Sequence, residues 1–293
     1  MLHVDDKIKQ LIYRPALGLL PKKLFQLQHL RMHRRFGAHW YWANLDRPRT
    51  FNEKLLRSKL SGEHRKYGYL VDKELVKAWV RQRIGPAYVI ETYDVLSQPN
   101  PSKLANLPLP CILKPTHSSG RVLLLEESED ASSPKTHSTV SKWLKLNHYY
   151  LSGEPQYRDL KPKVICERLL SQSGQTINDY KVFCFHGKPY LIQVDVNRFS
   201  GHRRVFYDLD WRKRSITLRY PLAEGSQPIP ENLDRMLEFA EKLSVGFSFV
   251  RVDFYDHRGE LFFGEMTFHP ESGLAPFSTY GEDLSLGRIL EGA

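Results

Sequence analysis

The stretch that decides the fold lies near the end of the chain. Val250-Arg251-Val252-Asp253-Phe254-Tyr255 is followed, after Asp256-His257-Arg258-Gly259, by Leu261-Phe262-Phe263-Gly264-Glu265-Met266-Thr267-Phe268. Side chains alternate across a strand, so Val250, Val252 and Phe254 take one face and Arg251 and Asp253 the other. In the return strand the same rule puts Phe263, Glu265 and Thr267 together. A loop of odd length, His257-Arg258-Gly259 with the glycine left-handed, closes the hairpin and brings the two polar faces into coincidence. Asp253 and Glu265 are then opposite or diagonal, roughly 5–8 Å apart at Cβ.

Two carboxylates at that spacing repel unless a cation lies between them. Magnesium suits, because it takes one or two carboxylates and leaves its other positions to water and phosphate oxygens. Arg251, on the same face, is placed for a transferred phosphoryl group or a substrate carboxylate. The plainer alternative is a surface hairpin with a salt-bridged Arg-Asp-Glu face. The otherwise apolar strands favour the buried site.

Outward from this hairpin, residues 180–185 and 189–196 read as a second one, turning at His186-Gly187-Lys188. A helix is expected over 230–245, with Leu233, Met236, Leu237, Ala240 and Leu243 on one face. Residues 196–229 read as largely irregular. Upstream, 109–114, 122–125 and 164–170 have strand character, 126–139 reads as a polar loop and 143–150 as helical. A further helix has Asp72 as N-cap, Leu75, Val76, Trp79 and Val80 as its apolar face, and Gly85-Pro86 as its stop. Residues 96–110, rich in Pro, Asn and Ser, read as a linker. Helices mixed with antiparallel hairpins give an α+β class rather than a doubly wound parallel sheet.

Two further segments carry chemistry. In Ile112-Leu113-Lys114-Pro115-Thr116-His117-Ser118-Ser119-Gly120, a strand ends in lysine and a small hydroxyl-rich loop follows. Such a loop can turn its N–H groups onto phosphates while the lysine supplies a point charge. It lacks the P-loop pattern, and taken alone a simple turn is the commoner meaning. Cys166-Glu167-Arg168 and Asp179-Tyr180-Lys181 offer a carboxylate at a strand end, a second carboxylate, and a lysine alternating with apolar neighbours. Individually these are ordinary edge charges.

The 293 residues are 41% apolar and 26% charged, ordinary for a globular protein. Cys111, Cys166 and Cys184 each sit in an apolar run, and their odd number and spacing argue against a disulfide frame or zinc site. The 43 Lys and Arg against 33 Asp and Glu give +10, which suits an anionic partner. Residues 1–50 look helical and basic. Lys22, Lys23, Arg31, Arg34 and Arg35 lie among leucines, as in a segment that rests on a membrane surface or acidic polymer, or as in a solvated face of a packed helix. No run is long and apolar enough to span a bilayer, and no signal layout opens the chain, so a cytoplasmic protein is expected.

In order, these pieces resemble the ATP-grasp superfamily, and specifically its TupA-like branch, associated with teichuronopeptide and capsular polysaccharide assembly. The resemblance rests on Phe51-Asn52-Glu53-Lys54-Leu55, Asp72-Lys73, Leu113-Lys114-Pro115 through Gly120, Ile165-Cys166-Glu167, Asp179-Tyr180-Lys181 with Phe185-His186-Gly187-Lys188, Val250–Asp253 and Phe263-Gly264-Glu265-Met266-Thr267. It implies an ATP-grasp fold with the nucleotide held between two α+β lobes. The expected division is a basic helical segment at 1–50, an N-terminal lobe at 51–108, a central lobe at 109–195 and a C-terminal lobe at 196–293. It implies that Lys73 and Lys114 touch the phosphates of ATP and that His117, Ser118, Ser119 and Gly120 close over them. Glu167 would sit by adenine and Asp179 by ribose. Lys181, Arg198 and Arg251 would serve the transferred phosphoryl group and acceptor, and Asp253, Glu265 and Thr267 the magnesium. Thr267 stands where many such ligases have asparagine. His269-Pro270-Glu271-Ser272-Gly273 resembles the loop that receives the acceptor in other ligases.

The activity implied is a carboxylate–amine ligase acting through an acyl phosphate. Its acceptor would be an acidic glycan, its second substrate a small amine, its position cytoplasmic or peripheral at the inner membrane face. A glycosyltransferase using Asp208-Leu209-Asp210 is one rival. A glycan kinase on the same fold is another. A nucleic-acid binder, stacking bases on Trp40, Tyr41 and Trp42 beside Arg34 and Arg35, is a third, but no nucleic-acid motif accompanies it.

Overall fold

The computed structural model describes residues 6–170, 177–196 and 201–292. The chain forms two compact units, each assembled from two separate stretches: Met1–Leu17 with His64–Gln175, and Gly18–Glu63 with Thr176–Ala293.

The first unit is built on an antiparallel sheet of β1 (Thr92–Leu96), β2 (Cys111–Pro115), β3 (Leu123–Leu125) and β4 (Val164–Arg168), in the order β1-β4-β2-β3. One face sends Cys111, Leu113, Val164 and Cys166 into a core with Leu104, Val140 and Trp143. The other carries Ile112 opposite Glu167 and Lys114 opposite Ile165, so a lysine and a glutamate become diagonal neighbours. All three cysteines are free and buried, as expected.

Two stretches differ from expectation. Residues 96–110 are not a plain linker. They hold the helix Pro101–Ala105, whose first turn is capped by the Asn100 side chain and which buries Leu104. Residues 126–139 form the helices Ser128–Ser132 and Pro134–Trp143, so Trp143 ends a helix rather than starting one. Only Ala131, Thr136, Val140 and Trp143 face inward there, which left too few apolar positions to show a period. The helix Leu75–Ile84 has Glu74 rather than Asp72 at its N-cap; Asp72 stands two residues earlier, its carboxylate accepting from the N–H groups of Glu74 and Leu75.

The second unit holds a six-stranded antiparallel sheet: β5 (Asp179–Phe185), β6 (Lys188–Val196), β7 (Arg203–Tyr207), β8 (Lys213–Arg214), β9 (Phe249–His257) and β10 (Glu260–Thr267), in the order β10-β9-β5-β6-β7-β8. The stretch read as irregular thus contains β7 and β8. The helix Leu233–Ser244 buries Met236, Phe239, Ala240 and Leu243. Cys184 reaches toward its Ala240 carbonyl from the sheet face that carries Val182, Val250 and Val252. The opposite face is divided along its length. At one end Phe183, Phe185, Phe206 and Phe249 pack with Phe51 and Phe277. At the other end Asp179, Lys181, Asp195, Arg204, Arg251 and Asp253 are buried.

The β9–β10 turn differs from the odd-length loop expected. His257 pairs with Glu260, leaving only Arg258 (φ 53°) and Gly259 (φ 76°) in the turn. Such a turn alone would set Gly264 opposite Asp253 and send Glu265 to the apolar face. A bulge at Gly264 adds one residue, and Glu265 lands opposite Asp253. The bulge also separates the residues expected to share a face. Phe263 pairs with Phe254 on the apolar side, while Glu265 and Thr267 face the polar side.

The N-terminal segment forms the helices Asp6–Leu19 and Pro21–Arg35, the second packing through Phe25, Gln26, His29 and His33. No helix among the described residues is long and apolar enough to cross a membrane.

Candidate active site

The polar half of the second unit's sheet is a continuous ionic network. Arg251 grips Asp253 through both edges, Nε to Oδ1 and Nη2 to Oδ2, each at 2.6 Å. Nη2 also donates to Glu265 Oε1 at 3.3 Å and Thr267 Oγ1 at 3.1 Å, and Thr267 donates to the same Glu265 oxygen at 3.0 Å. From the neighbouring strand Lys181 donates to Asp253 Oδ2 at 2.9 Å and to Asp179. Arg251, Asp253 and Lys181 are all buried, whereas the Glu265 side chain is 33% exposed.

Charges packed this way hold one another. Burial opposes the ammonium of Lys181, but Asp179 and Asp253 outweigh it and its pKa rises. Arg251 behaves likewise, with Asp253 as the main anion. Burial pushes the Asp253 carboxyl above the usual range, against the pull of Arg251 and Lys181.

The network continues through Asp195, Arg204 and Arg219, which the sequence reading did not assign, to Glu271 of the loop expected to receive the acceptor. Asp195 accepts from Gln193 at 3.0 Å and from Arg204 Nε at 2.7 Å. Burial alone would raise its pKa; His202 and Arg204 hold it well below the usual carboxylate range. Arg204 reaches on to Glu271 at 3.0 Å, and Arg219 meets the other Glu271 oxygen at 2.5 Å. Glu271, Ser272 and Gly273 have φ of 49°, 59° and 66°, three successive left-handed residues. Lys59, bonded to the carbonyl and hydroxyl of Ser272, helps hold them. Strain of this kind persists only where the surroundings enforce it. Asp195 was legible: Ile192-Gln193-Val194-Asp195-Val196 alternates as β9 does. Arg204 was not, because its strand was read as irregular.

Asp253, Glu265 and Thr267 offer oxygen donors only, converging where a cationic nitrogen of Arg251 now lies. That donor set fits magnesium, with phosphate or water oxygens completing the shell. Among the described residues no group of three or more His, Cys, Asp or Glu side chains is placed to hold a metal ion.

In the first unit Glu167 is clamped by Lys77 at 2.5 Å and Lys114 at 2.9 Å. Burial works against its charge, yet the two lysines hold its pKa below the ordinary value. Lys73 donates to the Ser118 carbonyl at 2.6 Å. Arg121, also unassigned in the sequence, donates to the Ser118 hydroxyl at 2.9 Å and the Ser119 carbonyl at 3.2 Å. Ser119 and Gly120 are exposed. His117 is buried with both ring nitrogens engaged, by the Trp143 carbonyl and the Lys163 N–H, and burial lowers its pKa. Arg198 lies outside the described residues. Asp208 spends one oxygen on the N–H groups of Asp210 and Arg212, as a turn before Trp211 does.

The family model described as TupA-like ATP-grasp matches residues 53–291. The chain belongs to the TupA-like ATP-grasp family. Among solved structures, this ATP-grasp chain is similar to D-alanine–D-alanine ligase from Bacillus anthracis, at 15% identity and TM-score 0.41, covering 68% of this chain and 57% of that one. It is similar to the ATP-grasp ligase PsnB complexed with minimal precursor, Mg and ADP, at 13% and 0.40, covering 82% and 65%. N5-carboxyaminoimidazole synthase from Aspergillus clavatus, in complex with ADP, matches at 11% and 0.40, covering 75% and 46%. The chain therefore spans less than two thirds of each of these three proteins. No curated protein sequence matches it.

Proposed function

We propose that this chain is an ATP- and magnesium-dependent ligase that joins a carboxylate to an amine through an acyl phosphate. The observation that carries this reading is the ionic end of the six-stranded sheet, where Lys181 and Arg251 are buried against Asp253, with Glu265 and Thr267 one strand over. Phosphoryl transfer asks for positioning and charge neutralisation more than for a protein nucleophile, and this set supplies charge. Asp253 and Glu265, with Thr267, would hold magnesium, which when bound neutralises phosphate charge. Lys181, Arg251 and Arg198 would balance the transferred group and orient the acceptor. Lys73, Lys114 and the loop from His117 to Gly120 are assigned to phosphates, Glu167 to adenine and Asp179 to ribose. For His117 this means its backbone, since its ring is engaged.

In the first step the carboxylate oxygen bonds to the γ-phosphorus as the bond to ADP's oxygen breaks. In the second the amine nitrogen bonds to the acyl carbon, phosphate departs with the carbon–oxygen electron pair, and nitrogen loses a proton. A uronic acid in a polysaccharide or its precursor is the acceptor proposed. The +10 charge supports it by attracting polyanions, and the family's association does the rest. The same reading puts the enzyme in the cytoplasm, near the inner membrane face.

Thermal shift followed by ADP release tests this. Magnesium with ATP at a hundred times its Kd should stabilise by about 2.7 kcal/mol, and Asp253→Asn should abolish the response. ADP release should then need both a uronate oligosaccharide and an amine. Release without amine would mark a kinase. Stabilisation by UDP-sugars but not ATP would overturn the reading.

A further inference from the structure

Residues 7–45 contain eight Lys and Arg and no Asp or Glu, so one short segment carries most of the chain's net charge of +10. The family match begins only at residue 53. Helix Pro21–Arg35 turns Phe25, His29 and His33 inward, while Lys23, Leu27, Arg31 and Arg34, at helical spacing, are exposed. Large apolar side chains accompany these cations. Leu19 is 80% exposed, and Leu20, Leu27, Trp40 and Trp42 are each more than half exposed. Tyr41, between the tryptophans, bonds inward to Thr50 and Asp283. The guanidinium of Arg34 lies 4.5 Å over the Trp40 ring, joining helix and tryptophan in one surface, and Arg35 covers Phe36 in the same way at 5.5 Å.

We infer that this surface docks the protein onto an anionic lipid bilayer. The cations meet headgroups, and the exposed tryptophans and leucines enter the boundary between headgroups and acyl chains. A soluble polyanion would satisfy the arginines equally well but would leave Leu19, Leu20 and Leu27 in water. The leucines therefore favour the bilayer. The inference stands apart from the ligase reading, since none of these residues belongs to the ionic network or the phosphate loop.

Sedimentation with vesicles tests it. The full chain should bind vesicles of phosphatidylcholine mixed with phosphatidylglycerol, be released by salt, and shift its tryptophan emission to the blue. Arg31→Ala with Arg34→Ala should lower partitioning about thirtyfold, at about fivefold per cation. Trp40→Ala with Trp42→Ala should remove the emission shift. All four side chains are exposed, so both variants should keep the parent's Tm. Failure to bind mixed vesicles, or equal binding to phosphatidylcholine alone, would overturn the inference. So would salt-sensitive binding to an oligonucleotide or a uronate polymer by a chain that ignores vesicles, which would assign the surface to a soluble polyanion.

Discussion

Replacing Arg251 with alanine removes both bonds to a carboxylate only 2% exposed, and leaves Asp253 with Lys181. Glu265 and Thr267 lose the same donor. Taking one partner from a buried ion pair costs about 3–5 kcal/mol, because the survivor keeps its burial and loses its compensation. For a unit of this size that corresponds to a fall in Tm of roughly 6–20 °C. The loss should depend on pH with a definite sign. Burial already raises the Asp253 pKa, and losing Arg251 raises it further. A carboxyl whose folded pKa exceeds its unfolded one stabilises the fold while protonated and loses that contribution as pH rises through the folded pKa. R251A should therefore be nearest its parent under acid conditions and furthest at neutral pH and above. Adding Asp253→Asn removes the uncompensated charge, so R251A/D253N should be more stable at pH 7 than R251A. Urea unfolding followed by fluorescence across pH gives all the quantities needed. An R251A loss below about 1 kcal/mol at pH 7, or a double variant worse than the single one, would refute the reasoning.

Gly264→Val should cost about 1–3 kcal/mol in urea unfolding, since a Cβ there meets the Asp253 carbonyl oxygen at 3.1 Å and the Tyr255 ring at 3.2 Å. His29, fully buried, is held neutral by burial, then by His33, its pKa lowered to about 3. The unfolded chain therefore binds more protons between about pH 6.5 and 3, and stability falls as pH drops through that window. His29→Phe should flatten that fall in a series of Tm values against pH, and an unchanged slope would mean the imidazole is not buried neutral. Thr279 caps the helix Tyr280–Glu291 in a reciprocal box with Glu282. Thr279→Ala should cost about 1 kcal/mol by chemical denaturation while leaving ATP binding intact.

Alternation alone was enough to put Arg251 and Asp253 on one face, because a period of two needs no tertiary information. The facing of Asp253 and Glu265 was expected from an odd loop and arises instead from an even turn plus a bulge. Both add one residue to the same strand, so the pattern did not separate them. Phe263 does separate them, and its placement opposite Phe254 shows which device the chain uses. The helix Pro134–Trp143 escaped notice because only Thr136, Val140 and Trp143 of its ten residues are buried. The pairing of Arg204 with Glu271 escaped for a different reason. They meet across 67 positions, and nothing local to either marks a partner that distant.

The second unit is sewn from two stretches separated in sequence by residues 64–175 of the first. Helix Phe51–Ser61 lies against helix Tyr280–Glu291, close enough that a side chain at Gly287 would strike the Arg49 carbonyl, with Asn52 bonded to Asp283 and Lys54 to Glu291. On the ribosome this has a cost in time. Phe51, Leu55 and Leu56 are made before residues 64–175 of the first unit and before the six-stranded sheet of their own. The second unit closes only once helix Tyr280–Glu291 has been made, so that apolar face stays uncovered through the whole of that interval.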